Sequence, residues 1–302
     1  MTRFVFFFAS LLLSFPVFAG SDIKLLFAGD TTLGGVYHSL ANDAQRNPGF
    51  SFQKLAPRIA ASDYFILNLE TTVTEHEGKI PKKFNFKMGS SDLAILAAGR
   101  VNLVSLANNH TFDYGTQGLF DTLDALDGAG IAHVGAGRTL SAARTAHRAT
   151  LKGKTFAFLA YGNMNEHAAA EQYVAYRHTK HVVDDIQQEK LAGVDYVVVF
   201  FHWGVERDTV PRAQEILLAH TAVDAGADII VGAHPHVPQP LEIYKGKPIA
   251  YSLGNFIFGG NRRGIQEGLM VEATIHTNGA ITMLPIPLII DPQKTHYQPY
   301  EK

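Results

Sequence analysis

Short apolar runs alternate with longer amphipathic stretches along most of the chain. Residues 23–30, 64–70 and 195–204 are rich in β-branched and aromatic side chains and have the length of strands. They are apolar at successive rather than alternate positions, which indicates strands covered on both faces. The stretches 115–130 and 211–226 have helical periodicity and end in glycine, as helices often do. The alternation predicts a layered α/β fold.

Towards the C-terminus the pattern changes from strand–helix alternation to hairpins. Lys245-Gly246-Lys247 and Asn278-Gly279 each separate two strand-like runs, and Asn-Gly is a strong hairpin signal. A third hairpin is predicted over residues 149–162. Since hairpins require antiparallel strands, the sheets of this fold are predicted to be mixed.

Composition excludes several classes of protein. The chain has 302 residues, 46% of them hydrophobic, which is enough to bury a sizeable core. Its formal net charge of −2 gives no support for a nucleic-acid-binding face, and we expect no nucleic-acid partner. The absence of cysteine excludes disulfides and thiolate ligands, so any metal site must use His, Asp, Glu or Asn.

The first twenty residues, MTRFVFFFASLLLSFPVFAG, resemble a secretory signal. One arginine precedes a continuous apolar stretch, and small residues follow it. The apolar stretch is slightly short for a membrane span. We therefore expect residues 1–20 to be a signal peptide and residues 21–302 to form one exported domain, periplasmic or extracellular. An uncleaved N-terminal membrane anchor is the alternative.

Cleavage is expected after Ala19 or Gly20, because the small residues of the signal end there. N-terminal sequencing of the exported protein should then read from Gly20 or Ser21. Recovery of a chain that still begins at Met1 in the membrane fraction would identify the segment as an anchor.

Metal-binding or hydrogen-bonding side chains stand where the predicted strands end. In open α/β sheets the ligand crevice lies beyond the carboxyl ends of the strands, so parallel strands would bring these side chains together. Four of the fourteen histidines stand at such ends, and the others, including His147, His178 and His220, are expected to be structural. The candidate positions are Asp30, Asn68, Glu70, Asn108, Asn109, His110, His202, His234, His236 and Asn255.

These side chains suit a divalent metal ion. Carboxylate, amide and imidazole ligands are typical of Mn²⁺, Fe²⁺ or Zn²⁺, which activate bound water and polarise phosphoryl or acyl oxygens. Taken singly, each position has a simpler interpretation: Asp30 can cap a turn, Asn108 and Asn109 can supply turn geometry, and His202 can pack beside Trp203. The coincidence of such groups at five strand ends favours a site.

Two of the histidines are separated by one proline, in His234-Pro235-His236. In an extended segment, residues i and i+2 share a face, and proline stiffens the backbone between them. We therefore expect an extended segment whose two rings point the same way, towards two neighbouring metal ions.

In order along residues 23–258, the motifs AGDTTLGG, NLETTVT, SLANNHTFDYG, FHWGVE, DAGADIIVGAHPHVPQPLE and YSLGNFIF resemble the CapA-type poly-γ-glutamate capsule synthesis family. That family lies within the calcineurin-like metallophosphoesterase superfamily. The resemblance implies a four-layer α-β-β-α sandwich of mixed sheets, with a dinuclear metal centre at the strand ends.

The resemblance also implies a role for each position. The first ion would be bound by Asp30 and His236, and Glu70 would bridge the two ions. Asn109, His202 and His234 would bind the second ion. His110 would be the general acid or transition-state group. Asn108 and Asn255 would contact the substrate.

The sequence departs from the superfamily pattern at two positions. Thr32 stands where the Asp-x-His motif has its histidine, and Glu70 replaces an aspartate. The first ion therefore keeps three ligands instead of four, and we expect it to be weakly bound or absent.

The expected function is that of an exported metal-dependent hydrolase acting in the biosynthesis or processing of poly-γ-glutamate or a related exopolymer. It would use one or two divalent ions of Mn, Fe or Zn, and act on an anionic polymer or a small phosphoester or amide. Membrane capsule-synthesis proteins are expected partners. The alternatives are a non-catalytic capsule assembly or export factor with a vestigial metal site, and a periplasmic phosphoesterase.

Overall fold

A computed structural model describes residues 21–34, 47–162, 167–258, 266–290 and 299–302. The expected signal peptide, residues 1–20, lies outside the described residues. Within the described ranges no helix is both long enough and apolar enough to cross a membrane.

The described residues form strands and helices in alternation, followed by antiparallel strands. The strands are β1 (Ile23–Thr32), β2 (Tyr64–Leu69), β3 (Thr72–Val73), β4 (Lys87–Met88), β5 (Leu103–Ser105), β6 (Ala132–Val134), β7 (His147–Leu151), β8 (Lys154–Gly162), β9 (Tyr196–His202), β10 (Ile229–Ala233), β11 (Leu241–Tyr244), β12 (Lys247–Ala250), β13 (Asn255–Phe258), β14 (Gln266–Ile275), β15 (Ile281–Ile290) and β16 (Tyr300–Glu301). The α-helices are α1 (Ala56–Ala61), α2 (Leu93–Ala98), α3 (Gly115–Ala129), α4 (Leu140–Ala143), α5 (Thr179–Leu191) and α6 (Ala213–Ala225).

The strands form two large mixed sheets and one small sheet. The first sheet has the order β16-β15-β14-β1-β2-β5-β6, with β13 pairing along the end of β1. The second has the order β11-β12-β10-β9-β8-β7, and β3 pairs with β4. The neighbours β1, β2, β5 and β6 run parallel, as do β8, β9, β10 and β12. The three predicted hairpins are confirmed as β7–β8, β11–β12 and β14–β15.

Strand β9 shows why residues 197–201 are apolar at successive positions. Val197, Val199 and Phe201 pack with the residues of α5 and α6, whereas Val198 and Phe200 belong to the core between the two sheets. The ring of Phe200 lies 5.9 Å from that of Phe27 on β1, which joins the sheets face to face. Burial of each such side chain stabilises the fold by roughly 1.5–3 kcal/mol.

Helices cover the outer faces of both sheets. Helices α5 and α6 bury apolar side chains such as Val182 and Leu218 against the second sheet. Helices α2 and α3 contribute Leu96, Leu119 and Leu126 to the core of the first sheet. The fold is thus a four-layer α-β-β-α sandwich of mixed sheets, and the predicted fold class is confirmed.

The carboxyl ends of the parallel strands of both sheets meet at one edge. At that edge β1 has a bulge, since its pairing register with β2 shifts between Ala28 and Asp30. The backbone is packed tightly there: Asp30 N–H donates to Gly254 O at 2.9 Å. A Cβ on Gly29 would lie 1.9 Å from the same oxygen, so only glycine fits. The bulge lies next to the candidate site, where bulges are common in enzymes.

Candidate metal centre

Two groups of metal-binding side chains meet at this edge of the sheets. Glu70, His202 and His234 each offer a ligand atom within 4.8 Å of the others, and so do Asp30, Glu70 and His236. Following the sequence prediction, we call Asp30, Glu70 and His236 the first position. We call Glu70, His202 and His234 the second position. Glu70 is common to both.

Glu70 is the central residue of the site. It follows β2 directly, is fully buried, and neither carboxylate oxygen has a hydrogen-bond partner in the described structure. Its Oε1 lies 3.6 Å from His202 Nε2 and 3.9 Å from His236 Nε2. Burial, and then the charge of Asp30, raise the pKa of Glu70 well above its ordinary value. A buried carboxylate without a donor is costly, and a cation held between the two groups would remove that cost.

The second position surrounds His202 Nε2, at the end of β9. This atom lies 2.9 Å from Asn109 Oδ1 and 3.1 Å from His234 Nδ1, besides its approach to Glu70. On the other side of the ring, His202 Nδ1 lies 3.3 Å from the amide nitrogen of Asn68. Two imidazole nitrogens and two oxygens are therefore grouped around His202 Nε2, a set that suits Zn²⁺, Mn²⁺ or Fe²⁺.

The first position combines Asp30, Glu70 and His236. His236 Nδ1 lies 2.9 Å from Asp30 Oδ2 and 3.0 Å from Asn255 Oδ1. The other carboxylate oxygen of Asp30 accepts a hydrogen bond of 2.8 Å from Asn68. Asn255 does not end a strand, as the sequence suggested, but begins β13, where it pairs with Asp30. It contacts a candidate ligand, and its predicted substrate contact stays a prediction.

The prediction of an extended segment at His234-Pro235-His236 is wrong. His234 and His236 have φ values of 97° and 59°, in the left-handed region that non-glycine residues rarely adopt. The turn lets His234 N–H reach Asp30 Oδ2 at 3.3 Å and lets Pro235 O accept from Arg207 N–H at 2.8 Å. The two ring centroids still lie 6.1 Å apart, one at each position. Such conformations cost about 1–3 kcal/mol each and cluster at functional sites.

The histidines of the two positions differ in their protonation. Burial lowers the pKa of His202 well below its ordinary value and, together with the charge of His236, lowers the pKa of His234 to about 4. Burial also acts to lower the pKa of His236, but the carboxylates of Glu70 and Asp30 outweigh it and raise that pKa to about 9. At neutral pH the rings of the second position are ready to bind an ion, whereas His236 carries a proton.

We expect metal affinity at the first position to rise with pH, because an ion must displace the proton of His236. Below pH about 9 the affinity should increase at least about tenfold per pH unit, since each bound ion releases the proton of His236 and any proton held by Glu70, whose pKa is also raised. Titration calorimetry between pH 6 and 8, in buffers of different ionisation enthalpy, measures that release. An affinity that does not change over this range would contradict the expectation.

His110 lies beside the ligands, in the turn after β5. Its Nδ1 donates to Asp113 Oδ2 at 2.7 Å, and the ring of Phe86 stacks on it at 4.0 Å between centroids. Burial lowers the pKa of His110, so the ring is neutral at pH 7. Because Nδ1 carries the hydrogen, Nε2 is the atom that can exchange a proton with a substrate.

Asn108 is hydrogen-bonded to the same turn. Its amide nitrogen donates to Asn68 Oδ1 and Leu69 O at 3.1 and 2.8 Å, and its Oδ1 accepts from His110 N–H at 3.0 Å. Asn108 is buried and held by these bonds. They show a positioning role, and its predicted substrate contact stays a prediction.

Sequence reasoning missed two residues of the site and the role of a third. Asn68 was a candidate position without an assigned role, and its amide connects Asp30 with His202. Asp113, three residues after His110, could have been found from a helix-like spacing of acid and histidine. Lys82, which lies 2.7 Å from Asp113 Oδ1, is in a polar loop that carries no sequence signal.

The histidines expected to be structural lie in other surroundings. His220 Nε2 is 2.9 Å from Glu242 Oε1, and its ring stacks on Tyr244. His147 Nε2 is 2.9 Å from the hydroxyl of Tyr64. None of these histidines belongs to the two ligand groups found in the described residues.

Thr32 stands two residues after Asp30 on β1, buried, with a hydroxyl that has no partner in the described structure. We expect Thr32→His to strengthen binding at the first position by about tenfold, because it supplies the missing imidazole. Metal stoichiometry and affinity of the folded variant measure this. Thr31→His is the control, since the Thr31 hydroxyl donates to Gly29 O. An equal change of metal affinity in both variants would show that Thr32 does not belong to the first position.

Solved structures with this fold define the class of protein. A phosphatase from Mycoplasma pneumoniae has a TM-score of 0.57 at 16% identity, with 90% of this chain and 95% of that chain covered. A calcineurin-like phosphoesterase from Bacillus subtilis has a TM-score of 0.55 at 15% identity, with 91% and 92% covered. The chain therefore has the calcineurin-like metallophosphoesterase fold, with a cluster of carboxylate and imidazole ligands at its strand ends.

The sequence comparisons show the family. The profile of the bacterial capsule synthesis protein family PGA_cap matches residues 24–260, and the chain belongs to that family. It is 32% identical to the PGA biosynthesis protein CapA of Bacillus subtilis over 263 residues, which is 84% of this chain and 68% of that protein. It is 34% identical to a probable polyglutamine synthesis accessory protein of Mycobacterium tuberculosis over 212 residues, 65% of this chain and 56% of that protein.

Proposed function

We propose that this protein is an exported, metal-dependent hydrolase that acts in the biosynthesis or processing of poly-γ-glutamate or a related anionic exopolymer. The observation that carries the proposal is Glu70, a buried carboxylate without a hydrogen-bond donor that lies between two groups of ligands. Family membership supports the pathway, and the donor set supports a divalent ion. Membrane capsule-synthesis proteins are the proposed partners.

The chemistry would be divided between the ion and the chain. The residues of the two positions would hold one or two ions, which supply an activated water and polarise the scissile carbonyl or phosphoryl group. His110, held by Asp113 through Nδ1–H, presents an unprotonated Nε2, which can accept the proton of the attacking water and then pass it to the leaving group. The tertiary fold keeps this histidine buried beside Phe86, which limits the access of bulk water.

Metal content and substrate choice test the proposal together. The exported protein would be purified, analysed for bound metal, and incubated with poly-γ-glutamate and with bis(p-nitrophenyl) phosphate. New amino groups from the polymer would identify an amide hydrolase, and nitrophenol alone would identify a phosphoesterase. The control is His110→Ala, which should keep the metal and lose the activity. A metal-loaded protein inactive on both would contradict a hydrolase.

The first position favours a second candidate, a capsule assembly or export factor that is not catalytic. It has three ligands among the described residues, because Thr32 stands in place of the imidazole. Such a factor would support polymer production in cells even after His110→Ala. Loss of polymer in cells that carry this variant would favour the hydrolase.

A further inference from the structure

We propose that Lys82 is a positioning residue of the metal centre, which it serves by holding the backbone of the ligand Asn109. The proposal rests on the proposed metal centre. Lys82 Nζ donates to Asn109 O at 2.8 Å and lies 2.7 Å from Asp113 Oδ1. It also lies 3.4 Å from His110 Nδ1. Its side chain is only 5% exposed, so the ammonium group is buried at the site.

The loop that carries Lys82 is fastened to the turn after β5. Ile80 N–H donates to Asp113 O at 2.9 Å, and Phe86 N–H donates to Asp113 Oδ2 at 2.6 Å. Asn85 donates to Ile80 O and Asp113 O at 3.1 and 3.2 Å. These bonds close residues 80–86 around Asp113 and place Lys82 on the inner side of the loop.

The contact between Lys82 and Asn109 connects this loop with the second position. The carbonyl of Asn109 accepts from the ammonium, while its side-chain Oδ1 lies 2.9 Å from His202 Nε2. Because both groups belong to one residue, fixing the carbonyl restricts the orientation of the ligand oxygen. Loss of a partner that orients a metal ligand typically lowers metal affinity about 10–100-fold.

An ion-pair role alone predicts the opposite change. If Lys82 served only to neutralise Asp113, removing its positive charge near the ions would leave metal affinity unchanged or increase it. A positioning role predicts weaker binding in spite of the more favourable charge. The sign of the change therefore separates the two roles.

The test compares four variants by calorimetric titration with Mn²⁺. We expect Lys82→Met to bind Mn²⁺ about 10–100-fold more weakly than the wild type and Lys82→Arg to restore most of the loss. Lys83→Met is the matched control, because Lys83 is exposed and lies over the ring of Phe84. Lys82→Met combined with Asp113→Asn removes both buried charges, and it should also bind Mn²⁺ about 10–100-fold more weakly than the wild type. This double variant carries the test if Lys82→Met alone does not fold.

A measurement without metal separates this proposal from the proposed function. In ¹⁵N spectra of the ion-free protein, the signals of the Asn109 side chain and the His202 ring should move in Lys82→Met and stay in Lys83→Met. If the wild type bound no ion, the proposed function would fail, and these signals would still decide the role of Lys82. Unmoved signals, or wild-type Mn²⁺ affinity in the doubly neutral variant, would overturn the positioning role.

Discussion

Replacing Glu70 by glutamine should abolish metal binding at both positions while leaving the ion-free fold at least as stable as the wild type. Glu70 is the only residue common to the two ligand groups found in the described residues, so its loss affects both. The ion-free carboxylate is buried without a donor, a situation that costs about 1–3 kcal/mol or more. Glutamine removes that charge at nearly constant volume.

The pH dependence of stability gives a second signature. Burial and the charge of Asp30 raise the pKa of Glu70, so the folded protein binds this proton more tightly than the unfolded chain does. The ion-free wild type should therefore lose stability as pH rises above the ordinary pKa of glutamate, and Glu70→Gln should lose less. Urea unfolding at pH 5 and pH 8, in the presence of a chelator, measures the difference.

The matched control is Glu215→Gln. Glu215 on α6 is also buried, and its Oε1 has no hydrogen-bond partner, although Arg177 lies 3.9 Å from it. It belongs to neither ligand group. It should keep full metal stoichiometry by elemental analysis. Metal retention in folded Glu70→Gln would refute the bridging role, whatever its stability.

His202→Ala should weaken metal binding far more than His220→Ala. His202 Nε2 faces Asn109, His234 and Glu70 at the centre of the second position. Removal of a partner outside the ligand set typically costs about 10–100-fold in affinity, so removal of a direct ligand should cost at least that. His220 contacts Glu242 and stacks on Tyr244, and it belongs to neither ligand group found in the described residues.

This pair of variants is well matched, because each histidine lies near a carboxylate and packs against another ring. Circular dichroism establishes that both variants fold, and elemental analysis gives their metal stoichiometry. Equal metal retention in the two folded variants would exclude a metal site at the strand ends and favour the assembly-factor role.

The fold could be predicted from local patterns because its physical causes are local. Strand β9 is apolar at successive positions from Val197 to Phe201 because both of its faces are buried, and the glycine-containing turns dictate the three hairpins. The candidate ligands could be named because parallel strands end at a common edge, so that a polar residue after an apolar run is placed near others of its kind. The family resemblance added which metal position each would occupy.

Only the tertiary structure decided how these groups are held. The turn at His234 and His236 departs from the extended form because Asp30 and Arg207, distant in sequence, bind its backbone. Asn68 connects Asp30 with His202, which is 134 residues away, and Lys82 reaches Asn109 from a loop without any sequence signal. Sequence determines which side chains carry metal-binding chemistry. The contacts that orient them arise only when distant segments pack together. So do the burial that leaves Glu70 without a hydrogen-bond partner and the approach of Glu70 and Asp30 that raises the pKa of His236 to about 9.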